Sequence, residues 1–353
     1  MEAFVKAARG PGGELRDVPR PTPADDEVLV AVRASSVCGT DVHLWEWNDW
    51  AQHRVARVPF VLGHELGGEV VETGARVTGL KVGDRVSAET HIVDGTCYQC
   101  RTGRMHICEK VQILGVDRDG VFAEYVTLPE RNAWKNDPSL DHALASIQEP
   151  LGNAVHALFP EDDTEEVAGK HVLVTGAGPI GLMAVLVART LGAERVLVTE
   201  VNPVRARLAR ELGADVVLDP VAERGRVAER VREETGGHGA DIALEMSGHP
   251  DSFPLVFEAL TPGGRVSLLG LFDRSVSLDV DELVIFKAAR VHGIFGRRMF
   301  ETWDTVKGLL ARPGFREKMG RIITHRVPIR ELPRAMELIR SQQAAKVSLE
   351  ARW

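Results

Sequence analysis

The sequence predicts an α/β chain of two domains, a compact β-barrel followed by a doubly wound parallel sheet. Three observations lead there. At 353 residues the chain is long enough for about two domains. Up to Trp134 it reads as short valine-rich strands broken by glycines, whereas from Lys170 buried strands alternate with helices. A strand pattern then returns at Lys346–Leu349, after that second sheet is complete, and needs a partner in the first domain.

The elements follow in order. Gly10 to Pro23 is rich in Gly, Pro and charge and reads as a loop. Val28, Val30 and Val32 share one face of a strand. From Val58 to Val86 two apolar runs are broken by Gly74, Gly79 and Gly83, a glycine density suited to tight turns and bulges in a small barrel. Phe122 to Leu128 is a further strand. Ser139 to Ala157 reads as helical, interrupted where Pro150 and Gly152 fall. Strands are then expected at His171–Thr175, Arg195–Thr199, Asp215–Leu218, Ile242–Met246, Arg265–Leu269 and Val291–Ile294. Helices ending at Leu191, Leu212, Thr235 and Leu260 alternate with them, as in a doubly wound sheet. The tail from Phe300 holds a helix, the segment Ile323–Ile329, a second helix and the last short strand. The expected domains are residues 1–153 with 298–353, and residues 154–297.

Charge and composition exclude several functions. A net charge of -8 leaves no overall basic field to hold nucleic acid or an anionic membrane. The start, Met1 to Lys6, lacks a hydrophobic signal segment. The most apolar run, Pro179 to Ala188, stops at Arg189, too short to span a bilayer. Four cysteines, three of them close together, suit a reducing compartment and a metal better than disulfides, so a cytoplasmic location is expected. There is no internal repeat.

The chemistry starts at Gly63-His64-Glu65 taken together with Cys38. A thiolate, an imidazole and a carboxylate form a plausible zinc set, and a catalytic zinc keeps one position open. Next to it, Cys38-Gly39-Thr40-Asp41-Val42-His43 places a hydroxyl and a second imidazole near the thiolate. A lone Cys and a lone His-Glu pair are more often core and surface residues, so the features further along decide the weighing. Trp45, Trp47 and Trp50 either anchor a loop or subunit contact or wall a substrate pocket. Asp94-x2-Cys97-x2-Cys100-x7-Cys108, in a lobe spanning residues 90–110, has the short spacing that lets one loop wrap a structural zinc. Glu149, before Pro150 at a helix break, is either a cap or a carboxylate turned inward towards the metal.

Strand His171–Thr175 runs into Gly176-Ala177-Gly178-Pro179-Ile180-Gly181 and then a helix. That is a G-x-G-x-x-G loop in strand–turn–helix context, whose helix N-terminus can face a pyrophosphate. The next strand ends at Glu200, placed to accept from ribose hydroxyls and repel a 2′-phosphate, which favours NAD over NADP. Arg205 is the complication, since it is able to hold a phosphate, pair with an acid or flank the adenine.

With these residues in order, the chain resembles the zinc-dependent medium-chain alcohol dehydrogenases over its whole length. Within them it is most similar to the branch that oxidises L-threonine at C3. The family-level residues are Cys38, Gly63 to Glu65, the cysteine lobe and Gly176 to Gly181. More specific are Cys38 to His43 with Glu46-Trp47 and Trp50-Ala51, Glu149 to His156, Gly296 to Trp303, and Ile323 to Arg326. The resemblance implies a GroES-like barrel for the first domain and tail, with a Rossmann domain between. It implies catalytic zinc on Cys38, His64 and Glu65, with Glu149 beside it as movable ligand or relay group, and a proton relay through Thr40 and His43. It implies an NAD site lined by Ile180, Glu200, Arg205, Leu269, Gly270, Leu271, Ile294 and Phe295. It also implies a homotetramer, for which an apolar strand at Val276 to Val280 offers a surface. One departure stands out: the lobe of the family carries four cysteines, and here the first is Asp94. Two rival functions share much of this sequence: a polyol or 2,3-diol dehydrogenase, and a non-catalytic nucleotide-binding protein of the same fold.

Overall fold

Valines 28, 30 and 32 put a fully apolar face on the strand Glu27–Ser36, and three other strands gather on it. Glu65–Thr73, Tyr125–Pro129 and Lys346–Glu350 all pair with it antiparallel. The computed structural model describes residues 1–160 and 166–353. It divides into two units, Met1–Glu149 with Ile323–Trp353, and Pro150–Ile322.

In the first unit the main sheet runs Ala133–Lys135, Arg85–Ala88, Glu65–Thr73, Glu27–Ser36, Lys346–Glu350 and Ile323–Pro328, with Tyr125–Pro129 also on Glu27–Ser36. A second sheet joins Glu14–Asp17, Glu2–Lys6 and Phe60–Val61. The register of Glu27–Ser36 against Glu65–Thr73 shifts twice, as β-bulges do when a sheet curls round a core. The C-terminal strand does return to the first unit, pairing Ser348 with Ser36.

Three local expectations are corrected. Glu14–Asp17 is a strand within the expected loop; all four residues are exposed, so it carries no apolar alternation, and only pairing with Glu2–Lys6 makes it a strand. The strand expected at Phe122 starts at Tyr125, because Phe122 is spent on a crossing in which its carbonyl accepts from Phe4. The helix Gln148–Leu158 runs through Pro150 and Gly152 without a break. Pro150 lies in the first turn, where no N–H is required. Gly152 is needed for closeness, since a Cβ there would lie 2.7 Å from the Arg297 side chain.

The second unit is a parallel sheet in the order Val216–Leu218, Arg195–Thr199, His171–Thr175, Ala240–Glu245, Leu260–Leu268, Arg290–Gly293. The order reverses beside His171–Thr175, the first strand, which opens a crevice at the carboxyl ends of the strands. Residues 298–322, expected with the first domain, belong here instead. Helices Glu301–Leu310 and Phe315–Gly320 bury Trp303, Val306, Phe315 and Met319, and Arg312 donates to the Thr190 carbonyl at 3.0 Å. Val276–Val280 is not a strand. Among the described residues no helix is long and apolar enough to cross a membrane.

Gly67 shows how tightly the first unit closes. A Cβ there would sit 2.0 Å from the His142 carbonyl oxygen, a backbone atom that cannot step aside alone. Gly67→Ala is therefore expected to cost about 1–3 kcal/mol, roughly 2–10 °C in the melting temperature of that unit. Calorimetry of the purified variant checks this, and an unchanged transition would count against it.

Candidate functional site

The strand Glu27–Ser36 ends just before Cys38, and the strand Glu65–Thr73 begins at Glu65. Ser36 pairs with Glu65 in register, so the two chain segments deliver their donors to one point. Ligand atoms of Cys38, His64 and Glu65 lie within 4.8 Å of one another. His64 and Glu65 are buried and Cys38 is half-buried.

The surroundings of this set favour a cation. His64 Nδ1 faces Asp41 Oδ1 at 3.4 Å, and neither atom has a hydrogen-bond partner. A carboxylate behind one ring nitrogen is the arrangement that orients a metal-ligating histidine through the other. Asp41 is itself fixed by the Cys38 N–H, which donates to Oδ2 at 2.8 Å. Burial works against charging His64, but Asp41 and the Cys38 thiol more than offset it and hold its pKa well above the usual imidazole value. Burial also pushes the Glu65 carboxyl up; Lys346 and His64 oppose this, and Glu149 adds to it. Lys346 Nζ donates to Glu65 Oε1 at 2.6 Å and to the Val37 carbonyl at 2.9 Å, and Ser36 Oγ donates to Glu65 Oε2. A thiol, an imidazole and a carboxylate of this kind fit zinc, and a bound cation would relieve the cost of burying the acids.

Glu149 does not join that three-donor set. It lies buried in the first turn of Gln148–Leu158, and Thr90 Oγ1 donates to it at 3.2 Å. Thr40 and His43 are three residues apart on the helix Gly39–Glu46, so they share a face. The tryptophans Trp45, Trp47 and Trp50 pack on the apolar core of the unit, with Lys6 over Trp47 at 4.9 Å and Trp50 beside His43 at 5.9 Å.

Asp94, Cys97, Cys100 and Cys108 form a second cluster. The Cys97 sulfur lies 3.5 Å from that of Cys100 and 3.8 Å from that of Cys108. Asp94 Oδ1 lies 3.8 Å from the Cys100 sulfur and 3.6 Å from that of Cys108. A tetrahedron with zinc–sulfur bonds of about 2.3 Å has edges of about 3.8 Å, so the four atoms stand close to the corners a zinc requires. The N–H groups of Thr96 and Cys97 donate to Asp94 and hold its carboxyl well below the usual range. Hydrogen bonds from the backbone of Cys100 and Glu109 bring the Cys97 thiol down to about 7.

In the second unit Gly176 has φ 85°, and a Cβ there would lie 2.8 Å from Ser247. A Cβ on Gly181 would lie 2.0 Å from the Gly176 carbonyl oxygen. Beside Gly178 nothing lies within 4 Å, which leaves the helix N-terminus at Pro179 open to a ligand. A cavity of about 710 Å³ is lined by Gly176, Gly178, Glu200, Val201, Arg205 and Leu255, among others. Glu200 accepts from Ala177 N–H and from Asn202 N–H, each at 2.8 Å. Ile180, Gly181, Leu269, Gly270, Leu271, Ile294 and Phe295 do not line this cavity. The last five follow the ends of strands Leu260–Leu268 and Arg290–Gly293, at the same carboxyl edge of the sheet.

The alcohol dehydrogenase GroES-like domain family matches residues 24–138, and the zinc-binding dehydrogenase family matches residues 179–312. The chain is 48% identical over 349 residues to an L-threonine 3-dehydrogenase of Symbiobacterium thermophilum, covering 99% of this chain and 97% of that one.

The chain belongs to the zinc-binding alcohol dehydrogenases.

An L-threonine 3-dehydrogenase of Caldanaerobacter subterraneus is 48% identical, over 99% of this chain and 98% of that one. Among solved structures, a zinc-binding dehydrogenase of Sinorhizobium meliloti 1021 bound to NADP superposes with a TM-score of 0.88 at 30% identity, covering 99% and 98% of the two chains. The GroES-like and zinc-binding dehydrogenase architecture expected from the sequence is thus the one found, and the chain is an enzyme of this family.

Several residues at this dehydrogenase's sites carry no sequence signal. Ser36 and Lys346 meet Glu65 only through strand pairing, and Lys346 is 281 positions away. Glu245, fully buried, accepts from Ser247 N–H, Ser252 Oγ and Gly248 N–H and so shapes the loop behind Gly176. Asp41 was missed too, although an acid three residues after Cys38, at the start of the helix Gly39–Glu46, is a local signal that could have found it. In the zinc-free protein Lys346→Met is expected to leave the buried Glu65 with the Ser36 hydroxyl but no cationic partner, at a cost of about 3–5 kcal/mol. Denaturant unfolding in the presence of a chelator measures it; a loss below about 1 kcal/mol would mean that Ser36 suffices.

Proposed function

We propose that this zinc dehydrogenase oxidises the C3 hydroxyl of L-threonine to 2-amino-3-oxobutanoate, using NAD and a zinc ion held by Cys38, His64 and Glu65. The close approach of those three donors carries the chemistry. The near-full-length identity to L-threonine 3-dehydrogenases supports the substrate. When bound, zinc supplies the Lewis acidity that lowers the pKa of a hydroxyl, and the nicotinamide takes up hydride. In this reading Thr40 and His43 carry the alcohol proton outward from the helix that starts behind Cys38. Burial lowers the pKa of His43, opposed by Glu46, which favours the neutral, proton-accepting ring. Glu149, buried and close enough to influence Glu65, serves as a movable ligand or relay group.

Glu200 supports NAD as the cofactor. Its two backbone hydrogen bonds fix a carboxylate at the cavity wall, where a 2′-phosphate would meet like charge. Ile180, Leu269 to Leu271, Ile294 and Phe295 are assigned to the remainder of the nucleotide. The cysteine lobe with Asp94 holds a second, structural zinc in this reading. The exposed edge strand Arg290–Gly293, paired on one side only and flanked by exposed Ile285 and Phe286, supports self-association into a homotetramer through a second copy of the same edge. Unpaired cysteines in both clusters suit a reducing cytoplasm.

Initial rates with L-threonine, sorbitol and 2,3-butanediol test the substrate; faster turnover of either polyol would overturn it. Metal analysis of the same preparations is expected to give two zinc ions per subunit, one lost in Cys38→Ser with activity and the other lost in Cys100→Ser. His43→Ala is expected to keep both ions and to lower kcat by roughly 10²–10⁴-fold; release of zinc in that variant would reassign His43 to the metal.

The cofactor assignment has its own measurement. Glu200→Ala is expected to shift the ratio of kcat/KM for NADP over NAD by on the order of tenfold, about 1.4 kcal/mol. Equal use of both cofactors by the wild type would instead make Arg205 the dominant contact.

A further inference from the structure

We propose that Asn48 is a positioning residue that locks His43 in its Nε2–H tautomer and makes protonation of the ring conditional on releasing the cap of the next helix. The consequence for catalysis rests on the relay role assigned to His43 above; the lock itself does not.

The geometry starts from a backbone group. The Ala51 N–H donates to Asn48 Oδ1 at 3.1 Å and caps the helix Asp49–Arg54. A backbone N–H only donates, so that end of the Asn48 amide is the oxygen. The other end, Nδ2, lies 2.7 Å from His43 Nδ1. An amide nitrogen also only donates. His43 Nδ1 therefore carries the lone pair, and the proton of the neutral ring sits on Nε2. The chain holds Asn48 there twice more: Trp47 before it adopts a left-handed φ of 57°, and the Asn48 N–H donates to the His43 carbonyl at 3.4 Å. The Trp50 ring, 5.9 Å from the imidazole and tilted against it, closes one side.

Protonating such a ring is conditional. Nδ1 holds the only lone pair, so proton uptake occurs there and gives an imidazolium with N–H on both sides. Nδ1–H would then point at the Asn48 N–H. Relief requires turning the amide, which brings Oδ1 to the ring and takes it away from Ala51. The cap and the charged ring exclude each other. Among the charged groups near this corner, Lys6 lies over the Trp47 ring at 4.9 Å. Glu46 lies on the same helix and favours the imidazolium, but Arg340 of the helix Leu332–Arg340 holds it at 2.9 Å. The helix Asp49–Arg54 carries Asp49, His53 and Arg54; the His53 ring is engaged with the Asp49 carbonyl at 2.6 Å, and Arg54 is paired with Asp117 at 2.6 Å. Burial of His43 acts in the same sense as the lock and lowers its pKa.

Long-range nitrogen–proton NMR correlation on histidine-labelled, zinc-loaded enzyme reads the tautomer directly, with His43→Gln identifying the signal. The expected wild-type pattern is an unprotonated Nδ1 and a protonated Nε2. The opposite tautomer, or a ring already charged at neutral pH, would overturn the proposal. Asn48→Asp keeps the cap through one carboxylate oxygen and offers the other to Nδ1. It is expected to reverse the tautomer, to raise the titration midpoint of His43 by about one pH unit or more, and to move the acid limb of kcat to higher pH. Asn48→Ser also keeps the cap but removes the N–H, and is expected to raise the midpoint less. Helix fraying alone would leave both the tautomer and the pH profile in place. If all three proteins shared one tautomer and one midpoint, the lock would be refuted. If the NMR pattern holds while threonine is not turned over, the lock stands and the substrate reading fails.

Discussion

The buried ion pair between Lys346 and Glu65 is the contact on which the first unit and its candidate metal donors both depend. Its side chains are 2% and 0% exposed. Two charges removed from water are costly to keep, and they persist only where geometry and further hydrogen bonds answer them. The strand Lys346–Glu350 meets that condition by pairing with Glu27–Ser36, the same strand that leads into Cys38. The C-terminal segment is therefore part of the site's construction. Folding of the unit has to bring together segments from both ends of the chain before Glu65 is fixed.

Close backbone approach does the rest behind His64. Gly63 has φ 88°, and a Cβ there would lie 2.3 Å from the Phe122 ring. A Cβ on Gly120 would lie 2.0 Å from the Gly63 carbonyl oxygen. Side chains at these positions would push the His64 segment off the sheet and away from Cys38. The glycine density that marks this region as tightly turned thus has a specific use. It lets an irregular loop lie flat against the segment His64-Glu65, where the strand Glu65–Thr73 begins.

What was legible in the sequence follows the range of the interaction. That Cys38, His64 and Glu65 come together was readable because zinc chemistry restricts donor types. The strands His171–Thr175 and Arg195–Thr199 and the helix Pro203–Leu212 were readable to the residue, because their signals are local: an apolar run, a Pro at the helix start, a Gly after its end. The break expected at Pro150 was not there, because Pro in a first turn costs nothing and Arg297 fills the space over Gly152. The strand Glu14–Asp17 was invisible, because its only partner is a backbone and no side chain of it is buried. Lys346, Ser36 and Glu245 were invisible as site residues, because nothing local distinguishes a lysine or a serine that will meet a carboxylate from one that will meet water.

One physical device recurs wherever this chain must hold a loop still. Asp41 accepts from Cys38 N–H, Asp94 from Thr96 and Cys97 N–H, Glu200 from Ala177 and Asn202 N–H, and Glu245 from Ser247 and Gly248 N–H. In each case a carboxylate satisfies N–H groups that a turn leaves without a partner, and charge-assisted bonds of this kind are shorter and stronger than neutral ones. Three of the four carboxylates sit directly beside a predicted ligand position. The acid that orders the backbone also sets the local field, so it biases the same place towards a cation at Cys38 and at the cysteine lobe, and against a further phosphate at Glu200. Structural and chemical roles are therefore not separable at these acids. Replacing one by its amide would keep some of the hydrogen bonds and remove the field, which is the comparison that tells the two contributions apart.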